Sequence, residues 1–344
     1  MAKLEPLLSS KIFSLKKGET EKNLAKLRFP LWGSIKWDGV RLTEYESEMH
    51  TRSLKKLRNA MMMPLFGEFI ADAASTGLRG VDGELLVGDP FAHNAMQNTT
   101  SGMGAKATPE RWQFFLFDTC RDPSRPYEER YAELCRFYEK RGHLYPWLQL
   151  TEQTPLENME AMFAMEERII GLGGEGIMVR NPKLGYKHGR STINDGIILS
   201  ALKRFADRDC VILEILEEVE NTNPAEMDEL GRTKRSSHRE NLIPKGRMGT
   251  FICGDPYWPK PFRVGGGIGV DFAFRKDAWE NPEKYLGQPM KYDYQEVGTK
   301  DRPRLTKYGG MRSWEDLSPE SAEALRALLA AYVPTGKGKA LPPA

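Results

Sequence analysis

The amino-acid sequence predicts an α+β protein in two domains, a mixed helix-and-strand domain followed by a small antiparallel barrel. Three observations carry this. At 344 residues the chain exceeds one ordinary hydrophobic core, so two domains are the natural division. Up to about residue 205, short apolar strand segments alternate with helical ones. After Lys203-Arg204-Phe205 the texture changes to short apolar runs separated by glycine, proline and charged loops.

Taken in order, Phe29-Pro30-Leu31-Trp32-Gly33-Ser34-Ile35 reads as a strand running into a turn that presents Lys36. Residues 79–87 read as a turn entering a strand. Residues 112–119 contain Phe114-Phe115-Leu116-Phe117, a buried strand. Thr154-Pro155-Leu156-Glu157 offers an N-cap residue, a proline at the first helical position and a capping-box glutamate. Met159, Met162, Phe163 and Ile170 form the apolar face of the helix that would follow, and Gly171, Gly173 and Gly174 end it. Glu175-Gly176-Ile177-Met178-Val179-Arg180 reads as the next strand.

In the second half, strands are expected over 210–216, 249–253, 261–264 and 290–297, with a helix inserted over 272–286. Such a series suits a small Greek-key barrel, of OB-fold or SH3-like type. Ser318-Pro319 caps a last helix carrying Leu325, Leu328, Leu329 and Tyr332 on one side. The expected division is therefore 1–206, then 207–333 including that helix, then a flexible tail over 334–344.

Charge is nearly balanced, 50 basic against 48 acidic residues for a net +2, so whole-chain electrostatics identify no partner. Basic residues nevertheless cluster in three groups. One holds Arg52, Lys55, Lys56 and Arg58. A second holds Lys183, Lys187, His188 and Arg190. The third holds Arg232, Lys234, Arg235, Arg239, Lys245 and Arg247. Each reads either as a solvated face or as a phosphate contact. Cys120, Cys135, Cys210 and Cys253 are scattered without a C-x-x-C pair, which argues against a zinc site and against a disulfide framework. No apolar run approaches the roughly 20 residues of a membrane span, and residues 1–17 lack a signal-peptide core. A soluble, intracellular, monomeric protein without membrane association is expected.

Lys36-Trp37-Asp38-Gly39-Val40-Arg41 is the stretch most suggestive of chemistry. A lysine amine attacks in its neutral form, which burial or a neighbouring cation favours. By itself the string also fits a surface turn. It is joined, in order, by His50-Thr51-Arg52-Ser53, Asp82-Gly83-Glu84-Leu85, Phe117-Asp118, Glu175-Gly176-Ile177-Met178-Val179-Arg180, the stretch around Lys203, and Arg302-Pro303-Arg304-Leu305 with Gly310-Met311-Arg312.

In order and spacing these motifs resemble the covalent nucleotidyltransferase superfamily, most closely the short two-domain ATP-dependent DNA ligases of phages and viruses. The resemblance spans residues 36–312. It implies an ATP-grasp-like nucleotidyltransferase (adenylation) domain followed by an OB-fold domain. It implies that Lys36 takes AMP from ATP as a phosphoramidate, with Ile35 beside the nucleotide. Arg41 would lie by the ribose and phosphates, where a forked guanidinium suits better than a lysine. Glu84 would contact the ribose, and Phe117 would stack on adenine, a contact of about 1–3 kcal/mol that needs no base-specific hydrogen bond. Phe114 and Phe115 read as core.

Glu175, with Glu84, would hold a divalent cation, Mg²⁺ with Mn²⁺ able to substitute, hard oxygen to hard metal. Asp38 would lie near the nick terminus, although it also fits a turn cap. Arg52 would grip the 5′-phosphate of the nick, and Lys187 and Arg190 would contact DNA. Arg312 would orient the pyrophosphate leaving group.

One motif departs from the family pattern. Two lysines one residue apart are usual; here Lys203 takes the second position and Ala201 the first. Lys203 would contact the α-phosphate and help keep Lys36 neutral. At the other corner either phosphate contact is weakened or another cation fills it, for which Lys187 and Arg190 are the first candidates. A shifted register with Lys203 in the first position would put Phe205 where a cation belongs. Leu305 also stands where an aromatic residue is usual.

The implied reaction is sealing of 5′-phosphate/3′-hydroxyl nicks in duplex DNA. An mRNA-capping guanylyltransferase or an RNA ligase of the same superfamily is the alternative; the ligase-like tail from Arg302 to Arg312 argues against the capping enzyme. A non-catalytic OB-fold nucleic-acid-binding protein would leave the first-half motifs unexplained. An NAD-dependent ligase is disfavoured by the missing zinc-finger cysteines.

Overall fold

The computed structural model describes residues 5–15, 18–104, 109, 111–227, 233–236, 238, 241–295 and 301–341. The chain divides into two compact units, residues 1–204 with 226–234, and residues 205–225 with 235–344. The expected α+β class holds.

The first unit contains two five-stranded sheets. One runs in the order β1 (Ser10–Lys11), β10 (Ser200–Leu202), β9 (Ile177–Arg180), β2 (Leu31–Ile35) and β8 (Thr154–Leu156). The other runs β4 (Glu48–Thr51), β3 (Val40–Tyr45), β5 (Val81–Val87), β6 (Trp112–Thr119) and β7 (Leu148–Leu150). Helix α2 (Met62–Ser75) places Met62, Phe66, Phe69, Ile70 and Ala73 on one buried stripe against Phe114 and Leu116 of β6. Each such aromatic contributes roughly 1.5–3 kcal/mol by leaving water. Helix α4 (Tyr127–Arg141) adds Leu134 and Phe137 to the same core. Helix α5 (Met159–Gly171) covers the first sheet, packing Met162 and Ile169 on Leu31, Ile177, Val179 and Leu202.

Asp118 ties β6 to β9 and α4. Its buried carboxylate accepts from Arg130 Nε and from Arg180 Nη1, both at 2.9 Å. The Arg180 guanidinium lies 3.8 Å from the centre of the Tyr127 ring.

Residues 154–157 do not start the helix. Thr154–Leu156 is strand β8, antiparallel to Leu31, Trp32 and Gly33. The true cap is Asn158, whose side chain accepts from Ala161 N at 2.8 Å. Both caps are locally sound; an available partner strand decides between them.

In the second unit the 16-residue strand β11 (Ala206–Asn221) lies between β14 (Leu242–Gly254) and β16 (Pro289–Gln295). Strand β15 (Phe262–Val264) flanks β14, and β17 (Arg304–Met311) flanks β16. Register shifts at Ile212/Glu214, Leu216/Glu217 and Glu217/Val219 bend β11, as barrel corners require. Tyr308 N donates to Gly266 O at 2.8 Å, and Tyr308 bridges to Gly267. The loop after β15 thus reaches β17 and the sheet closes as a barrel. Cys210, Ile212, Phe251, Cys253, Phe262 and Tyr292 fill it.

The 272–286 helix is shorter than expected. Helix α6 (Phe272–Glu280) ends before Asn281-Pro282, because the residue before a proline is driven out of helical geometry; a separate 3₁₀ turn, Pro282–Lys284, follows. Strand β17 was not anticipated. Helix α7 (Pro319–Ala331) has the expected Ser318 cap, accepting from Ser321 N at 3.2 Å, and packs Leu325 on Val211 and Leu213.

The flexible tail expected over 334–344 is tied down in its described part. Thr335 Oγ1 donates to buried Glu214 at 2.7 Å, and β18 (Lys339–Ala340) pairs with β11. A buried carboxylate needing donors supplies the anchor, and that burial is invisible in composition.

Candidate active site

Three adjacent strand ends of the first sheet assemble the centre of the site. β2 runs into Lys36, β9 begins just after Glu175, and β10 runs into Lys203. The register brings them level, with Ile35 opposite Ile177 and Ile177 opposite Leu202. Lys36 N donates to Gly176 O at 2.9 Å. Gly176 has φ +139°, and a Cβ there would lie 2.3 Å from Leu202 O, so only glycine lets these strands converge.

Lys36 Nζ donates to Glu175 Oε2, and Lys203 Nζ donates to Oε1 at 2.9 Å. Burial works to raise the Glu175 carboxyl, but the charges of Lys36 and Lys203 outweigh it and pull it down to about 2. Glu175 is therefore an anion held between two ammonium groups.

The turn after Lys36 docks on the second sheet through Gly39. Its N–H donates to Glu84 Oε1 at 3.2 Å. A Cβ on Gly39 would meet Leu85 O at 2.2 Å, which accounts for the glycine after Asp38. Glu84 keeps some solvent contact, yet the protein packed around it pushes its carboxyl up to about 8. Burial leads; Lys36 and Arg41 oppose it, and Asp38 and Glu175 add like-charge repulsion.

Arg41 points at Asp82. Its Nε donates to Asp82 Oδ1 at 2.8 Å, Nη2 donates to Oδ2, and Nη1 donates to Leu7 O. Tyr186 OH is 3.3 Å from Nη2 and also accepts from Leu7 N at 2.8 Å. Burial disfavours the Arg41 charge, but Asp82 more than compensates and holds it protonated. Most of its donors are thus spent within the protein, and its guanidinium lies 5.5 Å from the Phe117 ring centre.

Phe117 sits where the β5–β6 register slips, Asp82 facing Asp118 and Gly83 facing Leu116. Such a bulge re-aims a side chain. Phe117 is half-buried, whereas Phe114 and Phe115 are buried. Phe115 packs on Trp37, ring centres 4.1 Å apart.

The remaining expected residues fall as follows. Ile35 turns its side chain into the α5 core, leaving its backbone at the site. Asp38 is half-buried in the turn, and Arg52 is exposed in the turn after β4. Lys187 pairs with Asp195 at 2.6 Å, and Arg190 Nη1 donates to Ser9 O at 3.0 Å. In the second unit Arg312 Nε donates to Asp209 Oδ1 at 3.2 Å. Of the basic clusters, Arg232 and Arg239 lie outside the described residues; Lys245 and Arg247 pair with Glu220 and Glu218.

Sequence reasoning missed Asp82, Tyr186 and Trp37. Asp82 stands in the same D-G-E-L string as Glu84, and the pairing of Thr43 with Asp82 and of Arg41 with Glu84 brings it to the guanidinium. Only the strand register carries that signal.

The oxygen donors of Glu175 and Glu84 suit a hard divalent cation. Among the described residues no group of three or more metal-type side chains occurs. Such an ion would therefore draw its other ligands from phosphates and water, as Mg²⁺ does in nucleotide sites.

No protein-family model and no curated protein matches the chain. Solved structures do. Chlorella virus DNA ligase-adenylate aligns at 25% identity over 90% of this chain and 98% of its own, with a TM-score of 0.48. A Lig E DNA ligase aligns at 20% identity over 89% of this chain and 98% of its own, with a TM-score of 0.61. A structure described as Pmar-Lig aligns at 16% identity over 90% of this chain and 68% of its own, with a TM-score of 0.65. On the second and third of these superpositions, this chain shares its fold, a mixed α+β unit followed by a small OB-type barrel, with these two structures.

Proposed function

We propose that this chain is an ATP-dependent DNA ligase that seals 5′-phosphate/3′-hydroxyl nicks in duplex DNA. The observation that carries the reading is the row formed by Lys36, Glu175 and Lys203, with Glu84 close enough for the Lys36 charge to act on it. A lysine beside a second ammonium and two carboxylates matches what a covalent nucleotidyl transfer needs: a nucleophile, a phosphate-binding charge and oxygen ligands for a cation.

In the first step Lys36 Nζ attacks the α-phosphorus of ATP. Lys36 has by then given up its ammonium proton to solvent. The neutral amine forms the N–P bond, the bond from the α-phosphorus to the pyrophosphate oxygen breaks with its electron pair leaving on pyrophosphate, and the extra proton on nitrogen passes to solvent. In the second, the 5′-phosphate of the nick displaces Lys36 and takes AMP. In the third, the 3′-hydroxyl attacks that phosphate and AMP leaves. Lys203 steadies the α-phosphate, and Phe117 offers a half-exposed ring to the adenine. Mg²⁺, held by Glu175 and Glu84 together with the phosphates, would supply neutralising charge.

Exposed Arg52 is the cation for the nick phosphate, through backbone contact without sequence readout. Lys187 and Arg190 can reach DNA by exchanging surface partners, since exposed pairs contribute only about 0–1 kcal/mol. Arg312 acts at pyrophosphate departure. The protein works as a monomer inside the cell; no described helix is long and apolar enough to cross a membrane.

Intact mass after incubation with ATP and Mg²⁺ tests the reading. One acid-labile, alkali-stable AMP is expected on wild type and none on Lys36→Ala. An unchanged adduct on the variant would sink the assignment. Labelling with GTP in place of ATP would favour the capping-type alternative.

A further inference from the structure

The position of Lys203 depends on what holds the chain after β10. The last ladder pair of that strand is Leu202 with Ile177, and Leu202 lies in the core beneath α5. Lys203 follows one residue beyond the ladder, and Arg204 one residue further. Successive side chains of extended backbone point to opposite sides. On one side Lys203 Nζ donates to Glu175 Oε1 at 2.9 Å. On the other, Arg204 meets Glu166 of α5.

That contact is a fork. Arg204 Nε donates to both oxygens of Glu166, each at 3.1 Å, and Nη2 donates to Oε2 at 2.7 Å. The Glu166 side chain is 0% exposed, and among the described residues no other side chain donates to it. A buried carboxylate stripped of its partner is strongly destabilising, so the fork is held. The Arg204 guanidinium also lies 5.8 Å from the centre of the Phe13 ring, which packs on the same core. Lys203 is thus bracketed: Leu202 is fixed by its ladder and packing, Arg204 by Glu166. Gly176 closes in from β9, where a Cβ would lie 3.3 Å from Lys203 Cα.

We propose that Arg204 is a positioning residue for adenylyl transfer: by gripping Glu166 it fixes the backbone of Lys203, so that this ammonium is held at the phosphate under attack. The inference rests on the ligase reading and deepens it, since it makes α5, a helix packed beneath the sheet, part of the alignment of the charged row.

The test is a double-mutant cycle in single-turnover adenylylation of the full chain, read as maximal rate and half-saturating ATP concentration. Arg204→Met should lower the maximal rate about tenfold, since a misplacement of about 1 Å can cost up to about 10²-fold. The half-saturating ATP concentration should stay within about threefold of wild type. In a Lys203→Met background the same substitution should change the rate less than about twofold, because Arg204 acts only through Lys203. Where Arg204→Met lowers the melting temperature, Glu166→Met combined with Arg204→Met takes its place. That pair leaves no buried charge and should recover stability without recovering the grip on Lys203. Should Lys203→Met be too slow to measure, the Glu166 pair decides alone. An unchanged rate in Arg204→Met, losses that multiply in the Lys203→Met background, or a rate that returns with stability in the Glu166 pair would each overturn the proposal. Wild type that takes up no AMP at all would instead overturn the ligase reading.

Discussion

Glu175 and Glu84 both lie within the influence of Lys36, and the protein drives them in opposite directions. Glu175, at the end of the first sheet, is pulled down to about 2 because Lys36 and Lys203 outweigh its burial. Glu84, on the second sheet, is pushed up to about 8 because burial outweighs Lys36 and Arg41. The difference is one of partners. Glu175 receives both ammonium groups directly, while Glu84 accepts a backbone N–H from Gly39. Two carboxylates held apart in this way can do two jobs at one pH: a permanent anion that organises the lysines, and a neutral-leaning group that takes charge when cations arrive.

Removing the anion should have the largest effect. Glu175→Gln should cut the adenylylation rate by about 10²–10³-fold, since two cations lose their shared partner. A loss under tenfold would mean that Glu175 does not organise Lys36. In the barrel unit, Arg312 makes an ion pair with Asp209 that is open to solvent, with side chains 38% and 30% exposed, so its charge can exchange partners. Arg312→Ala should lower adenylylation by at least tenfold and largely spare sealing of a nick supplied already adenylylated. Equal loss in both reactions would point to a folding or DNA-binding defect.

Glu84→Gln mimics the protonated carboxyl but cannot take up charge when a cation arrives, so it should lower adenylylation less than Glu175→Gln and the loss should shrink as Mg²⁺ is raised. If it matched Glu175→Gln in severity, the contrast between the two carboxylates would collapse.

The smallest effect is the most diagnostic. With its folded value raised to about 8 against the ordinary 4.5, Glu84 holds a proton that the unfolded chain releases over that interval. Its contribution is fully present below about pH 4.5 and is lost as pH rises to about 8, by up to about 1.4 kcal/mol per pH unit. Glu175 runs the other way: its contribution is complete above about pH 4.5 and is lost as pH falls towards 2. Urea unfolding across pH should show the wild-type advantage over Glu84→Gln shrinking from pH 5 to 8, and that over Glu175→Gln growing from pH 2 to 5. Parallel pH profiles for either variant and wild type would contradict its assigned shift.

Much of this was legible in the sequence because it is local. The apolar runs at β2, β5, β6 and β9, the Ser318-Pro319 cap of α7, and the change from mixed helices and strands to a barrel after Phe205 are set by neighbours in the chain, although β11 and β14 run well beyond the short strands expected at 210–216 and 249–253. So were the chemical types at the site: a lysine before Asp-Gly, and a glutamate before a glycine that opens a strand. Tertiary structure alone decided the rest. Thr154–Leu156 became a strand because Leu31–Gly33 offered an edge, and the tail was anchored because Glu214 is buried. Lys36 and Glu175 meet across 139 positions, and Arg204 reaches Glu166 across 38. Chain order names the charged groups, but their ionisation and their contacts depend on burial and on strand register, both properties of neighbours that lie far away along the chain.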